Sequence, residues 1–223
     1  MNARSVGTTS GDGRVHGWTI AAATLTAIAA MTVHPSAGGG DIQSALRDIA
    51  RAGPASAAVH GLLMATSAAL LFGFLGLARR LQQRSLAAAG LVVWSIGTAA
   101  MFCAMAASGF IVPMIATAYA TATPGQFESV RAVLVFGSVF NQAWAIIGTV
   151  FQSAAIAAWS LALFRHGGAA RLIGWFGLIA GAASGVAVVA GLLRLDVHGM
   201  LLVVLIQGVW SLAVAVQLVR GRI

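Results

Sequence analysis

Six stretches of this chain are apolar over the full thickness of a bilayer, and that decides what it can fold into. They cover about 15–33, 57–78, 86–112, 132–163, 172–193 and 198–219, and none has Asp, Glu, Lys or Arg in its middle. A hydrocarbon core of about 30 Å takes about 20 residues of helix. Backbone in lipid must satisfy its own N–H and C=O groups, so a span is either a helix or a strand of a closed barrel. The runs are continuous and rich in Ala and Leu, not alternating, which excludes barrel strands. The expected fold is all-α: a polytopic transmembrane helix bundle of six spans, forming a single domain over residues 1–223. With 59% hydrophobic and 8% charged residues, the chain lies far from a soluble domain, which carries about 25% charge. The expected partner is a lipid bilayer, and nucleic acid is not one.

Arginine placement orients the spans. All the cations are Arg, with no Lys. Arg4 and Arg14 belong to a tail over 1–14, Arg79, Arg80 and Arg84 to the joint after span two, Arg165 and Arg171 to the joint after span four, and Arg220 and Arg222 to the C-terminus. The opposite side holds Arg47, Arg51, Arg131 and Arg194, balanced there by Asp41, Asp48, Glu128 and Asp196. The net charge of +8 therefore falls on the side of the termini. Positive charge stays in the cytoplasm, so both termini are expected there and the acidic joints are expected outside. Ala27-Ile28-Ala29 has the form of a signal-cleavage site. The apolar run is longer than the roughly 7–15 residues of a signal-peptide core, however, which favours a span.

The outer side carries the irregular sequence. All four prolines, Pro35, Pro54, Pro113 and Pro124, fall on it. The outer loop 34–56 reads as a stop at His34-Pro35, a turn over Ser36–Gly40, and a short amphipathic helix over 42–52. Asp41 is its N-cap, Ile42, Leu46 and Ile49 form its apolar stripe, and Gly53-Pro54 is its end. Such a helix lies flat on a membrane or caps a bundle. Span three runs on to Ala122, and Thr123-Pro124 reads as the N-cap and first residue of a helix reaching Phe164, with Gly137 and Gly148 as bend points. At about twice the bilayer thickness, helices three and four are expected to project outward as a hairpin, to kink, or both.

The triplet Val-His-Gly occurs at 15–17, 59–61 and 197–199, each before an apolar run. His16 falls on the cytoplasmic side, whereas His60 and His198 open spans two and six from outside. His34 joins them there, with Asp196, Glu128, Asp41 and Asp48. Imidazole with carboxylate suits zinc or copper, with His34, His60, His198, Asp196 and Glu128 as the ligand set. His60 and His198 on separate helices also suit the two axial positions of a haem, the following glycines leaving room. The alternatives are acid–base chemistry on a lipid, or interfacial imidazoles with no ligand and an Asp196 that only caps a helix. Asn141 and Gln142, in the outer part of span four, are expected to face either a neighbouring helix or a cofactor cavity beneath the histidines. Gln152 and Gln207 are expected to bond between helices. His166 reads as a solvated loop residue, and Gly177, Gly181 and Gly185, four apart, read as a packing groove.

Other chemistries find no support. The lone Cys103 excludes an internal disulfide, a Cys-x-x-Cys pair and a thiolate cluster. No nucleotide loop, nucleophile elbow or His-Glu-x-x-His helix occurs. No acidic or basic residue crosses the membrane to relay protons. His34-Pro35 at the exit of span one, Gly38-Gly39-Gly40-Asp41 after it, and His60 opening span two resemble the layout of small bacterial six-helix integral membrane proteins of unassigned function. The resemblance implies a bacterial inner membrane and brings no activity. Two functions remain open: a periplasm-facing His/Asp site for a transition metal or haem, or a non-catalytic scaffold whose outer loops contact a protein partner on the periplasmic face.

Overall fold

The computed structural model describes residues 10–35 and 41–223. The glycine turn over 36–40 and the tail with Arg4 lie outside the described residues. Helices α1 (Ser10–Thr32), α2 (Ile42–Arg80) and α3 (Arg84–Ala106) come first. One π-helical turn, Ala107–Ile111, carries α3 into α4 (Val112–Ala118). Helices α5 (Phe127–Leu163), α6 (Gly168–Val189) and α7 (Val197–Val219) complete the chain. No strand occurs among the described residues, and six helices are long and apolar enough to cross a membrane. The start of α1, the end of α7 and the Arg-rich joints share one end of the bundle, called here the terminal end. His34, Asp41, the π turn and Asp196 lie at the other, the loop end.

The short helix expected over 42–52 does not stop at Gly53-Pro54. It is the first part of α2, which runs unbroken through Pro54 for 39 residues. Pro54 deletes one backbone donor, but it is exposed. Gly53 beside it packs with Pro113, to which an added Cβ would lie 3.4 Å away. The stripe is real and has a protein partner: Ile42, Leu46 and Ile49 pack on Ala116, Val130 and Leu134 of α4 and α5. Asp41 caps α2 as expected, its carboxylate accepting from Ser44 N at 2.8 Å. That bond holds the Asp41 carboxyl below its usual range.

The hairpin of α3–α4 and α5 is long, as expected, but its turn differs. Helix α4 ends at Ala118, and Pro124–Gln126 form a 3₁₀ turn before α5. The capping roles are reversed there: Thr123 N and Oγ both bond the Gln126 side-chain oxygen, at 3.0 and 3.2 Å. Helix α5, with 37 residues, is about 56 Å long at 1.5 Å per residue. It is unbroken through Gly137 and Gly148. Both glycines admit neighbours: a Cβ at Gly148 would lie 2.6 Å from the Met101 side chain, and one at Gly137 would lie 2.9 Å from Val112.

The tightest core fills the terminal half. Phe74, Trp159, Trp210, Ile20, Leu77 and Leu163 have essentially no exposed surface. Phe74 stands edge-on to Trp94 with ring centroids 4.6 Å apart, and Trp159 and Trp210 stack with planes within 6°. Such aromatic pairs add about 0.5–1.5 kcal/mol beyond burial. Trp159 Nε1 donates to the Ala87 carbonyl at 3.1 Å. Trp159 and Trp210 sit where glycines make room, at Gly90 and Gly177. The groove of α6 packs on α5, and a Cβ at Gly181 would stand 2.8 Å from the Ser153 carbonyl oxygen. Leu172, Ile179 and Val186, seven apart on the far face of α6, are each at least 65% exposed, as a lipid-facing stripe requires. His166 is half-buried in a 3₁₀ turn, with an enclosed Nε2 that has no partner, and so is not a solvated loop residue.

Three variants test this packing. Gly181→Leu should destabilise the detergent-purified protein by about 1–3 kcal/mol, because backbone at Ser153 cannot yield. Gly125→Leu, with nothing within 4 Å, should melt like the parent. Trp159→Ala should cost about 3–5 kcal/mol. Equal melting temperatures for all three would mean that the terminal half is not the core.

Candidate functional site

A cavity of about 330 Å³ opens inside the bundle between α1, α2, α3, α5 and α7. Along α7 it runs from Asp196 to Ser211, about 20 Å at 1.5 Å per residue. Asp196, at the loop end, is exposed. At depth the wall reaches Trp94, whose ring rests on Phe74 of the sealed terminal half. The cavity is thus a one-ended vestibule. Its wall is mostly apolar, with His34, His60, Ser108, Asn141, Gln142, Gln152 and Gln207 among its polar groups. Trp94 Nε1 and Thr24 Oγ1, both in the wall, find no hydrogen-bond partner.

His34 and His60 meet at the loop end. Their Nε2 atoms are 3.3 Å apart and the rings lie edge to face. His34 leaves α1 on the segment that Pro35 ends, and its Nδ1–H donates to the Pro35 carbonyl at 2.9 Å. His60 lies about five turns inside α2, and its Nδ1–H donates to the Ser56 carbonyl at 2.8 Å. A carbonyl only accepts, so both rings carry a proton on Nδ1, and in the neutral form each leaves Nε2 as an acceptor beside the other. Burial holds the His34 imidazole below its usual value, against a smaller opposing pull from the Pro35 carbonyl. The Ser108 hydroxyl lies 2.9 Å from His60 Nε2 and 3.0 Å from the Ala104 carbonyl, and its one proton serves either.

The π turn builds the far wall of this pair. It brings Ser108 to His60, while Ser56 Oγ donates to the Ser108 carbonyl at 3.4 Å. Gly109 on the same turn leaves the space that the His60 ring occupies, since any Cβ there would collide with it. A π turn inserted in a helix recurs at functional sites. Gly61, next to His60 in the triplet, has only Phe110 near, at 3.9 Å. The room for the imidazole therefore comes from the facing helix.

The other expected ligands do not join the pair. His198 is exposed near the start of α7 and does not line the cavity. Glu128 is exposed on the first turn of α5 and also lies outside the cavity wall. Asp196 is at the rim, but its carboxylate caps α7 by accepting from Gly199 N at 2.9 Å, and that bond holds it below its usual range. Among the described residues, no three His, Cys, Asp or Glu side chains converge to hold a metal ion. The five-ligand metal set and the His60–His198 haem pair are not assembled, because side chains that share an end of the bundle point to different sides of their helices. Of the three triplets, only that of His198 marks a helix start. His16 is buried at the terminal end with Nδ1 3.1 Å from the Phe72 carbonyl, over the space left by Gly76.

Asn141 and Gln142 both reach the cavity wall. Gln142 Nε2 donates to the Leu195 carbonyl at 2.9 Å and ties α5 to the start of α7. Gln207 bonds Ser153 across helices at 3.3 Å. Asn141 and Gln152 make no side-chain hydrogen bond among the described residues and are the free amides of the wall, so the interhelical bond expected of Gln152 is not formed. Ser56, Ser108, Gly109 and Trp94 were not legible as site residues. Ser56, one turn before His60, had a usable spacing signal, whereas the π turn had none.

No family model, curated protein or solved structure matches this chain.

Proposed function

We propose that this chain is a bacterial inner-membrane protein, with both termini in the cytoplasm, that binds a small ligand from the periplasmic side in the vestibule between its helices. The observation that carries this reading is the one-ended cavity with unpaired polar groups in its wall. A volume of about 330 Å³ falls in the range of roughly 300–1,000 Å³ typical of small-molecule sites. Near the mouth Asn141 offers an amide and the histidine pair two acceptors, and Gln152 offers a second amide at depth. An unpaired polar group in an apolar interior is costly, and a ligand with matching groups recovers that cost. The sealed aromatic half makes the protein a receptor or loading site in this state and not an open pore. Orientation rests on the arginine excess of the terminal end.

Accessibility tests both the vestibule and its side. In a Cys103→Ser background, Asn141→Cys and Val204→Cys should react with a membrane-impermeant maleimide added to spheroplasts, and Leu77→Cys should not. Labelling confined to inverted vesicles would reverse the orientation. A vestibule that stays unlabelled from both sides would sink the binding reading. It would favour the scaffold alternative, for which the exposed Val135, Phe136 and Val139 on the projecting part of α5 supply a contact face.

A further inference from the structure

The geometry points to the facing Nε2 atoms of His34 and His60 as a binding site for a soft monovalent cation in linear, two-nitrogen coordination, copper(I) being the class member available to a cell. The inference rests on the vestibule being open to ligands, and it names the chemistry of the cation that the mouth would take.

The argument begins with protons. Both Nδ1 atoms spend their hydrogen on backbone carbonyls, at 2.9 and 2.8 Å. Two neutral imidazoles so fixed hold two acceptor nitrogens 3.3 Å apart. Two acceptors facing each other in a partly enclosed site lack a positive partner. The Ser108 hydroxyl can satisfy His60 only, and it can instead turn to the Ala104 carbonyl at 3.0 Å. Among the described residues, nothing comparable serves His34 Nε2. Fixing Nδ1 by a carbonyl is also how proteins orient a metal-binding imidazole and make its other nitrogen more basic.

The number and type of donors select the ion. Zinc takes four ligands in a structural site and three plus water in a catalytic one, and no such set converges here. A filled-shell monovalent ion is content with two nitrogens in line. Soft thioethers favour the same ion, and Met31, Met105 and Met200 line the outer part of the cavity. Met31 is three residues before His34, and Met105 is one turn before Ser108, on the same helix face. Metal–nitrogen bonds of about 2 Å need the nitrogens about 4 Å apart, so from 3.3 Å they must part by about 0.7 Å, and the rings, with centroids 4.8 Å apart, must also turn to bring the two lone pairs into line. His34 is on a non-helical segment, which can move by that much.

The test uses the full-length detergent-purified protein, without a histidine tag, under anaerobic conditions. Copper(I) is titrated in competition with bicinchoninate. One copper(I) per chain is expected. His34→Ala and His60→Ala should each weaken binding by at least ~100-fold, and Met105→Leu by about 10-fold, since removing even an outer partner of a metal site commonly costs 10–100-fold. His198→Ala and His16→Ala should bind like the parent. X-ray absorption of the copper(I)-loaded parent, which needs no variant to fold, should show two nitrogen neighbours. A parent that takes up no copper(I) while Asn141→Cys still labels from the periplasm would overturn this inference and leave the vestibule standing. Uptake indifferent to both His34→Ala and His60→Ala, or a copper shell without nitrogen, would also overturn it. An unlabelled vestibule would remove the reading beneath it as well.

Discussion

The bulky side chains inside this bundle sit over glycines of facing helices. Trp159 lies on Gly90, Trp210 on Gly177, His16 on Gly76, Ile20 on Gly73 and His60 on Gly109. This is the constraint on which the rest depends. Between membrane helices the hydrophobic effect supplies no attraction, since lipid tails are as apolar as Leu. Cohesion has to come from contact area, and contact area requires backbones to approach. A large ring seated against bare backbone gives both at once. The pairing is also specific, because a ring has few glycines within reach.

The distribution of these seats sets the division between seal and vestibule. In the terminal half, two glycines receive two indoles, and Phe74 fills the space among the rings. In the loop half one ring is seated this way, His60 over Gly109. The surrounding positions carry Ala, Met and amides, whose volumes leave a gap. The polar groups there are mostly tied down one by one: Gln142 to a backbone carbonyl, Gln207 to Ser153, and both histidines to carbonyls through Nδ1. What remains uncommitted is small and chemically definite: two imidazole lone pairs and two amides, together with the enclosed Trp94 indole and Thr24 hydroxyl.

How far the sequence carried the reading follows from the range of each interaction. Spans, the Asp41 and Asp196 caps, the stripe Ile42–Leu46–Ile49 and the α6 glycine groove are written within one helix, at spacings the chain displays directly. All of them are found. Gly53-Pro54 misled because the stopping rule is drawn from water, whereas a helix packed against α4 and α5 tolerates one missing donor. His198 misled for another reason. Two helices that start at the same end fix the height of a residue but not its angle around the axis. The site depends on that angle, and on a π turn that rotates Ser108 and Gly109 toward His60. Trp159 carried no local mark at all, since its importance lies in Gly90, about seventy residues earlier.

The one-ended shape also has an electrical meaning. A potential across a membrane drops mainly where polarisable, water-accessible material is absent. In this bundle that is the half filled by Phe74, Trp159 and Trp210. A charge moved across the whole drop exchanges about 2.3 kcal/mol per 100 mV. A cation held between His34 and His60, at the open end, crosses little of it. Occupancy of the mouth should then follow the concentration outside and be nearly indifferent to whether the membrane is energised. Passage beyond Trp94 would meet almost the entire field within the length of one aromatic cluster.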